Sequence, residues 1–130
     1  MRVLIAEDDF ASRKSMMRFL SKYGECDVTV DGTEAVEAFI MALELNEGYD
    51  LVCLDIMMPV MDGYQALKKI RDIEKEKLVP EHEAVKIIMT TALNEGKNVT
   101  KAFDLGCNAY AGKPIDQEKF KNVLRKLELI

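Results

Sequence analysis

The chain predicts an α/β fold, a doubly wound parallel sheet with helices on both faces, and three observations lead there. Apolar strand-like runs alternate with helical apolar spacings five times along the 130 residues. Three of the runs are apolar throughout rather than alternating, as parallel strands covered on both faces require. Acidic, hydroxyl and basic residues follow the runs at their carboxyl ends, the side of such sheets where ligands bind.

Taken in order, residues 3–6 form a continuous apolar run, the first strand. Met16, Phe19, Leu20 and Tyr23 then repeat at i, i+3, i+4 and i+7, one face of a helix that starts near Ala11 and ends at Gly24. Residues 26–30 are a short second strand. Asp31-Gly32-Thr33 supplies turn and cap residues before Val36, Phe39, Ile40 and Leu43 restore the helical spacing, and Gly48 closes that unit. Residues 51–54 form the third strand, and a turn through Pro59 and Asp62-Gly63 leads to a helix with Ala66, Leu67, Ile70 and Ile73 inward. After a polar stretch through Pro80 and His82, residues 84–89 are the fourth strand, 98–103 a short helix and 109–111 the fifth strand. Phe120, Val123, Leu124 and Leu127 line the last helix. Parallel strands need crossovers, and right-handed crossovers dominate, so this order implies one sheet.

A chain of this length buries roughly two-thirds of its unfolded surface, which predicts one domain over residues 1–130 held together without disulfides. With 48% apolar and 32% charged residues it reads as globular and soluble. The absence of a long apolar run or a signal-peptide pattern makes the cytoplasm the expected location and excludes membrane insertion. Cys26, Cys53 and Cys107 have no metal-ligand spacing and suit reduced core positions. A net charge of −5 argues against nonspecific binding to nucleic acid or acidic membranes. Lys119, Lys121, Arg125 and Lys126 read as a solvated helix face rather than a docking patch, and His82 as a surface residue.

Asp55 ends an uninterrupted apolar strand and precedes a Pro-terminated turn, which lifts its carboxylate to the rim of a buried sheet. Glu7-Asp8-Asp9 follows the first strand and Lys113-Pro114 the fifth. One fold assignment therefore brings Glu7, Asp8, Asp55, Thr91 and Lys113 to one rim. Converging carboxylates repel and raise one another's pKa unless a cation lies between them. All-oxygen ligands without His or Cys select a hard ion, and Mg²⁺ suits a site that leaves positions for water and phosphate. The competing role for Asp8 or Asp9 is to cap the first helix. Asp55, alone on its strand, is the candidate nucleophile that would form an acyl phosphate, with Lys113 as a second positive charge. Either Thr90 or Thr91 faces the site, since alternation admits one of them. The small Ala92 beside Thr91 leaves room for substrate and tips the choice to Thr91.

Glu7-Asp8, the run Leu54-Asp55-Ile56-Met57-Met58-Pro59 with Met61-Asp62-Gly63, Thr91-Ala92, and Tyr110 with Lys113-Pro114 stand in an order and separation that resemble the receiver domain of two-component response regulators. The resemblance covers essentially the whole chain. It implies a flavodoxin-like (βα)5 sheet of order 2-1-3-4-5. It implies that Asp55 accepts a phosphoryl group from a histidine kinase or phosphotransfer protein, with Mg²⁺ held by Asp8, Asp55, the Met57 carbonyl and, through water, Glu7. It also implies Thr91 rather than Thr90 at the phosphoryl group. Thr91 and Tyr110 would then move together as a switch that remodels the fourth helix, fifth strand and fifth helix for a downstream protein. A monomer or a weak phosphorylation-dependent dimer is expected, as is slow self-dephosphorylation in place of enzymatic turnover.

Some positions depart from the commoner pattern. Ala111 and Gly112 leave the outer surface of the fifth strand bare, and Gly96 suggests a loose start to the fourth helix. Met57 and Leu93, both apolar, would shield the acyl phosphate from water. Three other readings compete. An aspartate-nucleophile phosphatase needs a second aspartate where Met57 stands. A flavin carrier would meet three acids at its phosphate loop. A scaffold that never accepts phosphate would have little use for so complete a set of site residues.

Overall fold

The computed structural model describes residues 1–92 and 99–130. Five strands, β1 (Arg2–Ala6), β2 (Glu25–Thr29), β3 (Leu51–Asp55), β4 (Lys86–Ala92) and β5 (Ala109–Lys113), pair in parallel in the order β2-β1-β3-β4-β5. Five α-helices follow them: α1 (Phe10–Leu20), α2 (Gly32–Glu44), α3 (Gly63–Glu76), α4 (Val99–Asp104) and α5 (Gln117–Lys126). The order is the expected 2-1-3-4-5. Among the described residues no helix is long and apolar enough to cross a membrane.

Side-chain alternation along the strands divides the core in two. Leu4, Val52, Leu54, Ile87 and Met89 point to the face covered by α2, α3 and α4, where they meet Phe39, Leu67, Ile70 and Ala102. Val3, Ile5, Leu51, Cys53 and Ile88 point to the face covered by α1 and α5, where they meet Phe19, Leu20, Phe120 and Leu124. Each fully buried Leu, Ile or Phe contributes about 1.5–3 kcal/mol, so packing rather than propensity holds the helices in place. Phe19 meets Phe120 edge to face, with ring centroids 5.7 Å apart, and this contact ties α1 to α5.

Four helices begin on an aspartate whose carboxylate accepts a backbone N–H of the first turn: Asp9, Asp31, Asp62 and Asp116. At α3 the cap is reciprocal, because the Gln65 side chain in turn accepts the Asp62 N–H. Asp9, not Asp8, caps α1, which leaves Asp8 for other work. Gly63 allows α3 to start hard against β3, since a Cβ there would collide with the Asp55 carbonyl.

The structure differs from the sequence expectation at several strand ends and at Cys26. The fourth strand runs past residue 89 to Ala92, because Thr90 and Thr91 continue the ladder opposite Asp55, Ala111 and Gly112. Lys113 is the last residue of β5 rather than a residue beyond it. Cys26 is only half-buried, because β2 is an edge strand exposed along most of its length. Leu93, Gly96 and the expected start of the fourth helix at residue 98 lie outside the described residues.

Away from the acidic rim, α3 is stapled to the sheet by Arg71. Its guanidinium donates to the carbonyls of Gly106 (3.0 Å) and Val85 (2.8 Å), to Glu74 (2.6 Å) and to the Asn108 amide oxygen (2.9 Å). Glu74 accepts the Val85 N–H at 2.8 Å, and Asn108 accepts the Ile87 N–H at 2.8 Å. Three segments, α3, the start of β4 and the α4–β5 connection, thus share one hydrogen-bonded cluster. Glu74 is only 5% exposed, so losing its guanidinium leaves a buried carboxylate without its counter-charge. Arg71→Ala is expected to lower unfolding stability in urea by about 3 kcal/mol.

Candidate functional site

The site lies at the carboxyl ends of β1, β3 and β5, and each of its side chains is placed by the end of a strand. Glu7 extends β1 by one residue, since its N–H donates to the Thr29 carbonyl at 3.1 Å, and its side chain is fully buried. Asp55 closes β3 at 2% exposure. Asp8, between β1 and α1, is exposed. Ligand oxygens of Glu7, Asp8 and Asp55 all lie within 4.8 Å of one another, as the sequence reading expects. Hard cations bind oxygens at about 2.0–2.6 Å, so an ion between these groups fits the spacing and the donor set.

Lys113 provides the counter-charge from within the protein. Its ammonium forms ion pairs with Glu7 Oε1 and, at 3.1 Å, with Asp55 Oδ1. Burial works against the Lys113 ammonium, but hydrogen bonding to Glu7 and the charges of Asp55 and Glu7 outweigh it and hold its pKa above the ordinary value. Asp55 moves the other way from a usual carboxylate. Burial first, and then the hydrogen bond and charge of Glu7, push its pKa up from 3.8 to about 7 against the pull of Lys113. Three carboxylates facing one ammonium are short of positive charge. A divalent cation among them would supply it.

The acidic loop is held from below by a residue absent from the sequence reading. Arg13, one turn into α1, donates to the Glu7 carbonyl at 2.9 Å and the Asp8 carbonyl at 3.4 Å, closing the loop over the helix start. Neither its type nor its spacing announces this, because the contact exists only once α1 folds back along the loop. Asp9, fixed by the Ser12 N–H, keeps its pKa below the usual range.

The two threonines of β4 fall on opposite faces. Alternation from Ile88 in the α1–α5 core and Met89 in the other puts Thr90 on the face of Asp55 and Lys113, and Thr91 on the face of Tyr110. Both are buried. Thr91 donates its hydroxyl to the Ala92 carbonyl at 3.3 Å. Tyr110 packs against the α2–α3 core with its hydroxyl buried. Burial, with the nearby Tyr110 hydroxyl, pushes the pKa of Tyr64 up to about 12, and the Lys101 ammonium lies 4.7 Å from the centre of the Tyr64 ring. Tyr64 and Lys101 thereby connect Tyr110 to α3 and α4. The Met57 side chain stands 60% exposed on the rim after β3. The Lys113–Pro114 peptide is cis.

With this geometry in place, comparison with known proteins is informative. The family model described as the response regulator receiver domain matches residues 3–125. The chemotaxis protein CheY of Treponema pallidum is 35% identical over 120 residues, which cover 91% of this chain and 76% of that protein. The chain spans 55% of one further curated relative and 7% of another. Two solved structures align with a TM-score of 0.80. One is the CheX–CheY–BeF3–Mg²⁺ complex of Borrelia burgdorferi, 27% identical, covering 98% of this chain and 89% of that one. The other is the receiver domain of Ssk1 with the histidine phosphotransfer protein Ypd1 from Saccharomyces cerevisiae, 28% identical, covering 100% of this chain and 92% of that one. The strand order, the acidic rim and the match along nearly the whole chain agree, and the chain belongs to the response regulator receiver domain family of two-component signalling.

Proposed function

We propose that the protein is a phosphoacceptor switch in which Asp55 takes a phosphoryl group from a histidine kinase or phosphotransfer protein. The observation that carries this reading is a buried carboxylate held 3.1 Å from a lysine ammonium, inside a cluster of three acids. The complex of a related receiver domain with the histidine phosphotransfer protein Ypd1 is consistent with such a partner. Asp8, Asp55 and the Met57 carbonyl would hold Mg²⁺, with Glu7 reaching it through water. When bound, the ion would neutralise carboxylate charge and draw negative charge from the phosphoryl oxygens.

The remaining work falls to this chain. An Asp55 oxygen forms a new bond to phosphorus as the phosphorus–nitrogen bond of the donor phosphohistidine breaks and the freed imidazole takes up a proton. Lys113 then turns part of its charge from Asp55 to the phosphoryl oxygens. A phosphoryl group adds about −1.5 to −2 charge at one point of the rim, enough to bias a two-state packing by about 1–3 kcal/mol. Thr91 and Tyr110, stacked on the other sheet face, are the switch. Inward movement of Thr91 changes the space open to Tyr110, and the Tyr64 and Lys101 contacts carry the change to the surface of α3 and α4. Output is a contact with a downstream protein, and the phosphoryl group is lost slowly by hydrolysis without a general acid at Met57.

The reading has a direct test. Incubation with acetyl phosphate and Mg²⁺ is expected to add one phosphoryl mass to the native chain and none to Asp55→Asn, and an unmodified native chain would end it. Met57→Asn, which replaces an apolar shield with a water-binding amide, is expected to lose the group faster than the native protein in a time course of intact mass.

The raised pKa of Asp55 also gives a pH signature. The folded chain keeps the Asp55 proton up to about pH 7, whereas the unfolded chain releases it near 3.8. Between those values the folded state binds the extra proton, so metal-free stability falls as pH rises through this window and levels off above it. The melting temperature in a chelator should therefore drop from pH 5 to pH 8 in the native chain by more than in Asp55→Asn. Apparent Mg²⁺ affinity should rise across the same interval, because the cation binds the ionised carboxylate.

A further inference from the structure

Thr90 is 1% exposed, and its hydroxyl has no hydrogen-bond partner among the described residues. Buried hydroxyls are normally paired, often to a nearby backbone carbonyl. Thr29 follows that rule by donating to the Ile5 carbonyl at 3.1 Å, and Thr91 donates to Ala92. Thr90 does not. Its backbone needs nothing further from the side chain, since its carbonyl already accepts the Ile56 N–H at 3.0 Å. A valine would fill the same space and leave no polar atom behind, so the hydroxyl has no packing purpose.

Its surroundings supply one. Thr90 lies in register between Asp55 on β3 and Ala111 on β5, with neighbouring strands about 4.8 Å apart. It shares a sheet face with Asp55 and Lys113. To reach Asp55 and Glu7 from β5, the Lys113 side chain must cross β4, and Thr90 is the β4 side chain on that face at the level of Asp55. The ammonium carries three hydrogens and is ion-paired with Glu7 and Asp55 on the same face.

We propose that Thr90 is a positioning residue of the phosphoryl site, its hydroxyl unpartnered at rest among the described residues and taking up a hydrogen bond from the Lys113 ammonium when Lys113 moves off Asp55. As Lys113 turns toward an incoming phosphoryl oxygen, Thr90 keeps the ammonium over β4 and takes up the hydrogen bond that Asp55 loses. This rests on the phosphoacceptor reading above and adds a second threonine to the site, on the sheet face opposite Thr91.

The test compares Thr90→Val, which keeps the shape and removes the hydroxyl, with Thr90→Ser, which keeps the hydroxyl. Phosphorylation by acetyl phosphate is followed by intact mass, Mg²⁺ affinity by calorimetry and folding by thermal melting. Thr90→Ala replaces the valine variant if the latter loses its cooperative melt. The hydroxyl-free variant is expected to be phosphorylated about tenfold more slowly with Mg²⁺ affinity near the native value, and Thr90→Ser to recover most of the rate. A native rate in the hydroxyl-free variant, an equal loss in Thr90→Ser, or a parallel fall in rate and Mg²⁺ affinity would each overturn the role of Thr90 while leaving the phosphoacceptor reading intact. A native chain that gains no mass would remove that reading and this one together.

Discussion

The rim is organised by the reach of Lys113, which starts at the end of β5, crosses β4 and meets both Asp55 on β3 and Glu7 beyond β1. Two buried carboxylates so close together need a positive charge. At 4 Å a pair of unit charges is worth about 4 kcal/mol at an effective dielectric of 20, comparable to a large share of a domain's net stability. The reach in turn requires a particular architecture. β5 must lie next to β4, β4 next to β3 and β3 next to β1, and all must run parallel so that their carboxyl ends coincide. The strand order, the helical crossovers and the two apolar cores serve to bring one ammonium to two acids.

The protein treats its polar clusters differently. Around Arg71, the guanidinium fork, Glu74 and Asn108 satisfy one another and the backbone, so charge and hydrogen bonding close on themselves. At the rim they remain open. Asp55 holds its proton to about pH 7, Asp8 stands in solvent, and the Thr90 hydroxyl lacks a partner among the described residues. A satisfied polar cluster rigidifies a fold, whereas an incomplete one invites a ligand to finish it. The contrast separates the part that anchors α3 from the part suited to chemistry.

Strand β4 links the two sheet faces at the site. Thr90 looks toward α1 and α5 with Lys113 and Asp55, while Thr91 looks toward α3 and α4 with Tyr110, Tyr64 and Lys101. A change of charge at Asp55 can thus be felt on one face and transmitted on the other through adjacent residues of a single strand. Period-two alternation makes this possible without any long-range path.

Much of this was legible in the residues themselves. Apolar runs and i, i+3, i+4 spacings located the strands and the helices α1, α2, α3 and α5, because burial on one or both faces leaves a periodic imprint on residue type. Asp55 and the Glu7-Asp8 pair stood out because acids at the end of apolar runs are unusual. The end of β4 was set at residue 89, where the apolar run stops, because the ladder of Thr90 and Thr91 with Asp55, Ala111 and Gly112 leaves no apolar imprint. Arg13, Arg71 and Glu74 were missed because charged residues on helices are ordinary, and their partners lie on other segments. What the sequence alone determined was the alternation of elements and the residue types available at each strand end, both local consequences of hydrophobic periodicity. Which acid caps α1, which threonine shares a face with Asp55, and which two carboxylates receive Lys113 were decided only by the tertiary structure, because each depends on distances between segments that no local pattern encodes.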